Sequence, residues 1–236
     1  MKSDGIRRLI IAEGFLLLYV SFVGRYWGYG NLNYLSNGIS YKIENFVWYA
    51  IPILPVINLL LYSYKKTESQ WLTGKVYYLT RRKSRLRLVT GLLWNRAIAV
   101  IVLEWMRWGT FYVVSFIKKE TIRVDEIHVI LKIESMYLLL LYIVALIVLL
   151  LECLIGEEIG IVTAVFLYQL GIGLDDQIAF RTQIFKPCDY GYSAWCMGAR
   201  WGNEMIPWTR NMSIYISIII VLIAGVIFAY RRKDFV

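Results

Sequence analysis

The chain has 236 residues, is 58% hydrophobic and only 18% charged, and its mean hydropathy is +0.54. A soluble domain of this size carries about a quarter charged residues; here the apolar residues sit instead in long uncharged blocks, the pattern expected when lipid takes up apolar surface. The formal net charge of +9 belongs with basic residues flanking membrane spans rather than with nucleic-acid binding, and such a chain reads as one membrane domain over 1–236 with no soluble nucleotide-binding fold.

The first apolar block, residues 9–24, follows a basic start. Gly24-Arg25-Tyr26-Trp27 follows it in place of a small-x-small cleavage site, so it reads as a retained span rather than a signal peptide. Further spans are expected at 46–64, 97–117, 136–153, 159–174 and 212–230, six in all. Backbone groups in hydrocarbon must bond internally, so each is a helix and the fold class is all-α, polytopic. The blocks at 9–24 and 159–174 are near the lower limit of about 17 residues for crossing. Aromatic residues mark headgroup levels: Tyr26, Trp27, Trp48 and Tyr49 on one side, Tyr62 and Tyr64 before Lys65 and Lys66 on the other.

Charge sets the expected orientation. With the N-terminus inside, the inner segments hold about fourteen Lys and Arg in about 42 positions and the outer ones about ten in about 77. Both termini are therefore expected in the cytoplasm. The inner loop 65–88 opens with Thr67-x-x-Gln70, a capping-box spacing, continues through Trp71, Leu72, Val76, Tyr77 and Tyr78, and closes on Arg81-Arg82-Lys83-Ser84-Arg85-Leu86-Arg87. A basic amphipathic segment resting on anionic headgroups and a helix that docks a cytoplasmic partner both fit this composition.

Within the third span, Glu104 and Arg107 are three residues apart on one helical face. An unpaired charge there costs at least about 2.5–3.5 kcal/mol, so the two are expected to neutralise each other, either as a structural pair or as a polar point on a transport path. Arg96 is expected to snorkel to the inner interface. Glu13 and Glu152, near the inner boundary, are expected to snorkel or to join helices. In the outer loop 175–211, Cys188 and Cys196 lie eight apart in a disulfide-permissive compartment; a bridge and two thiols both fit. Cys153, within a span, reads as a small apolar residue.

Signs of an enzyme are lacking. The lone histidine, His128, lies beside Ile127 and Val129, and no spacing matches a metal site, a Gly-x-Ser-x-Gly elbow or a P-loop. No cofactor or metal is expected on this chain.

Six spans, a basic helical loop between the second and third, the short acidic turn Gly156-Glu157-Glu158 between the fourth and fifth, and the tail Ala229-Tyr230-Arg231-Arg232-Lys233-Asp234-Phe235-Val236 together resemble the permease subunit of an ABC exporter of the type-two class. The small subunits of bacteriocin and lantibiotic export or self-immunity are the nearest in size and layout. Only about eight residues precede the first span, where family members commonly carry a surface helix. The resemblance implies a second permease subunit, identical or related, and an ABC ATP-binding subunit that holds ATP and Mg. It implies ATPase coupling through Trp71, Leu72, Val76, Tyr77, Tyr78, Glu157 and Glu158, with an amphipathic or hydrophobic substrate such as an antimicrobial peptide. The alternatives are a small six-span substrate-binding subunit of a vitamin uptake system and a non-transporting membrane scaffold.

Overall fold

Arg85 to Arg181 contains no proline, so nothing in that stretch removes a backbone donor from a helix. In the computed structural model, which describes residues 7–8, 10–16, 18, 53–63, 85–119, 124–181 and 208–232, this run forms three successive helices. Among the described residues there are six helices and no strand. They are α1 (helical positions between 7 and 18), α2 (Ile53–Ser63), α3 (Arg85–Ile117), α4 (Val124–Leu154), α5 (Glu157–Arg181) and α6 (Trp208–Arg232). Pro55 falls in the first turn of α2, where a helix has no use for the missing N–H.

Among the described residues three helices are long and apolar enough to cross a bilayer: Leu86–Ile117 in α3, Ile127–Leu154 in α4 and Trp208–Tyr230 in α6. A shorter apolar stretch, Glu158–Leu174, lies in α5. The described residues therefore have the build of a helical membrane protein.

The helices outrun the expected spans. α3 has 33 residues, about 50 Å at 1.5 Å per residue, against a hydrocarbon core of about 30 Å. Residues 85–88, expected in the inner loop, are its first turn. Residues 124–135, expected in a loop, are the first three turns of α4. Residues 175–181 and 208–211, expected in the outer loop, extend α5 and start α6. The reason is common to all: hydropathy detects where lipid begins, whereas a helix continues until a proline, a glycine or a cap stops it. The remainder of the inner loop, residues 65–84, lies outside the described residues.

α4 is the hub. It is apolar all round, the composition of a helix buried on every side, and it packs against α2, α3, α5 and α6. In its apolar stretch 61% is buried, against 11% for α6. Met136, Leu140, Leu146 and Leu149 are wholly enclosed. Two interhelix contacts set the register of the bundle. The Arg96 guanidinium meets Glu152, and the Tyr230 hydroxyl donates to the Leu149 carbonyl at 3.4 Å. The start of α3 and the ends of α4 and α6 therefore share one end of the bundle. Toward the other end, Trp208 Nε1 donates to the Lys132 carbonyl and to Ser135 Oγ, both at 3.2 Å. So α3 runs antiparallel to α4, and α6 parallel to it.

The α4–α5 connection is a hairpin of two residues, Ile155 and Gly156. Gly156 has φ +105°, a region open essentially to glycine. Its carbonyl accepts from the Gly160 N–H at 3.0 Å. Gly160 then lies against α4: a Cβ there would come within 3.0 Å of the Glu152 backbone nitrogen. Two glycines thus allow an immediate reversal and a close helix crossing.

Candidate functional site

In a bundle surrounded by lipid, the informative residues are the buried charged ones. Arg96, Glu104, Arg107, Glu134 and Glu152 are all at least nine-tenths buried. They form two groups at different heights.

The first group joins α3 to α4 and is built on Arg107. Its Nε donates to both Glu104 carboxylate oxygens at 3.1 Å, a contact the three-residue spacing makes within one turn. Its Nη2 donates to Glu134 Oε2 of α4. The guanidinium also lies 4.5 Å from the centroid of the Tyr137 ring, one turn along α4 from Glu134, within cation–π range. One planar cation is thus shared by two carboxylates and a ring face, an arrangement that suits the flat fork of arginine donors. One turn beyond Arg107, Thr110 Oγ1 lies 2.7 Å from Glu13 Oε1 of α1 and 2.8 Å from the Met106 carbonyl. Asn58 of α2 donates to the Ala12 carbonyl at 3.3 Å, so polar contacts tie α1 to both α2 and α3.

The second group lies toward the hairpin end. Arg96 Nη2 donates to Glu152 Oε1 at 2.9 Å and Oε2 at 3.1 Å. Arg96 does not snorkel as its position near the inner boundary led us to expect. Glu152 lies opposite on α4, and both its carboxylate oxygens accept from Nη2, so the two charges pair inside the bundle without reaching water. Glu13 and Glu152 both take the helix-joining role rather than the snorkelling one.

The expected partners Glu104 and Arg107 are thus brought together, but they are two members of a larger set. Glu134 was missed because the fourth span was placed from Met136 onward, leaving Glu134 in a loop. Ile127, Ile130, Leu131 and Ile133 were the available signal, since they extend the helical apolar spacing back past it. Glu157 and Glu158, expected in a turn, form the start of α5. Around them Leu154, Ile155 and Ile159 are exposed, an apolar patch at the tip of the hairpin. Trp71, Leu72, Val76, Tyr77, Tyr78, Cys188 and Cys196 lie outside the described residues. Cys153 is buried between α3, α4 and α6, packed as a small apolar side chain. Among the described residues no three His, Cys, Asp or Glu side chains are grouped so as to hold a metal ion.

The chemistry open to this arrangement is electrostatic: it holds charge inside an apolar bundle and locks α3 onto α4. Compared with models of known protein families, with curated proteins and with solved structures, the chain matches none.

Proposed function

We propose that this chain is the membrane-spanning subunit of an ATP-driven exporter, crossing the bilayer six times with both termini in the cytoplasm. It would work beside a second permease subunit and a separate ATP-binding subunit that carries ATP and Mg, and its substrate would be amphipathic or hydrophobic, an antimicrobial peptide being the type. The observation that carries this reading is the α4–α5 hairpin. Its tip exposes Leu154, Ile155 and Ile159 beside Glu158. It shares its end of the bundle with the basic start of α3, where Arg87 is exposed, and with Arg231 and Arg232 at the end of α6. By the charge rule that end faces the cytoplasm. An exposed apolar patch beside Glu158, on a two-residue hairpin at the edge of the bilayer, can serve as a contact surface for another protein. A hairpin held by the Arg96–Glu152 pair can pass a push from that protein to α4, the helix against which α2, α3, α5 and α6 all pack.

The test is purification of the full chain from its native membrane in mild detergent. We expect an ATP-binding subunit in stoichiometric amount with ATPase activity, and its loss in Ile155→Asp and Ile159→Asp variants that still fold. A chain that purifies without ATPase activity, or that keeps its ATPase in both variants, overturns the proposal. A bound small molecule other than a bilayer lipid, retained by the lone chain, would favour the vitamin-uptake reading instead.

A further inference from the structure

Between α4, α5 and α6 lies a cavity of about 400 Å³. Leu140 and Val144 line it from α4, Ala164, Tyr168 and Gly171 from α5, and Tyr215 from α6. Ala164 and Gly171 lie about one turn to either side of Tyr168, and their small size leaves the space. The lining atoms are almost wholly apolar, so a water there would lack the two to four polar partners it needs. Within α4 the cavity spans Leu140 to Ile147, the middle of the apolar stretch Ile127–Leu154. It opens sideways past Leu167, Leu170 and Ile218, all exposed, and at that depth the medium outside is hydrocarbon. The volume falls in the range of small-molecule sites.

We propose that this cavity is a binding site for one acyl chain of a diacyl bilayer lipid, the chain lying between α4, α5 and α6. A straight aliphatic chain matches an apolar slot that opens sideways at the depth of the hydrocarbon. The inference rests on the membrane placement of the bundle and not on the pairing with an ATPase, so either can fail alone.

The experiment uses the full chain, delipidated in dodecyl maltoside and titrated with dioleoyl phosphatidylcholine, with bound lipid counted by native mass spectrometry. We expect one lipid per chain held well above the others. A phosphatidylcholine carrying a diazirine in its acyl chain should crosslink within residues 140–147 or 164–174. Gly171→Leu and Ala164→Ile should each lower occupancy at least fivefold, while Trp105→Ala on the exposed face of α3 leaves it unchanged. If a filling variant fails to fold, Ala164→Val, the smallest filling change, replaces it. A graded series of lipids without a favoured first one, crosslinking spread evenly over the bundle, or occupancy indifferent to the filling variants overturns the site.

Discussion

Arg107 is a side chain whose removal and whose partners' removal have different consequences. Without it, Glu104 and Glu134 face each other across α3 and α4 with no cation between them; breaking a buried pair in this way costs about 3–5 kcal/mol. We expect Arg107→Leu to fail to fold or to melt far below the wild type. In a double-mutant cycle of Arg107→Gln with Glu134→Gln, followed by thermal unfolding in nanodiscs, we expect a coupling of about 1–3 kcal/mol. A coupling near zero would show that the contact between α3 and α4 is energetically idle. Lys119 makes a smaller point. It ends α3 with φ 55°, its N–H bonded to the Phe116 carbonyl at 3.1 Å, in the left-handed conformation glycine prefers. Lys119→Gly should therefore stabilise the protein by up to about 1 kcal/mol, read as a rise in melting temperature, and a fall would mean that the lysine side chain matters more than its backbone.

Among the elements, the α4–α5 hairpin is the one with least tolerance. A side chain at position 156 must sit at a φ that L residues rarely adopt, and one at 160 must push into the backbone of α4. Gly156→Ala is expected to cost about 1–3 kcal/mol. Gly160→Leu should cost more, because the atoms it meets are backbone and cannot swing aside. Gly225→Ala serves as a control, since its Cβ would meet only the flexible tip of Leu150 at 3.9 Å. Equal melting temperatures for Gly160→Leu and Gly225→Ala would remove the close crossing from the account. α6 behaves differently. With little of its apolar stretch buried, most of its surface faces outward, and Ser213 and Ser217 satisfy their hydroxyls by donating back to the Thr209 and Ser213 carbonyls at 2.9 Å. Its attachment to the bundle runs along one face, on which Asn211, Tyr215, Val226 and Tyr230 are buried.

For the whole molecule the quantity to measure is sidedness. The contacts fix which helix ends lie together; the proposed orientation puts the end with the basic residues in the cytoplasm. With the native cysteines replaced (Cys153→Ala, Cys188→Ser, Cys196→Ser), Lys119→Cys should react with an impermeant maleimide added to intact cells, and Glu158→Cys only after permeabilisation. The opposite pattern would invert the bundle and take away the ATPase-facing role proposed for the hairpin. Because lipid is as apolar as the core, burying leucines contributes less here than in water, and helix association leans on close packing and polar contacts. Two buried ionic groups at two heights of the α3–α4 interface are therefore the features that select one register between these helices.

The all-helical class, the position of the apolar blocks and the Glu104–Arg107 spacing were legible in the sequence, since each is a local property: hydropathy depends on composition within a window, and a three-residue spacing on one helix sets its own geometry. Which carboxylates share Arg107 was not, because Glu134 lies 27 residues away and reaches the guanidinium only through the register of two long antiparallel helices. The same holds for Arg96 and Glu152, 56 residues apart, for Thr110 and Glu13, and for a cavity to which three helices each contribute a wall. Local composition decides that a segment is a helix in lipid; which of its faces meets which neighbour is settled only when all the helices pack at once, because steric fit and charge pairing are satisfied jointly between segments.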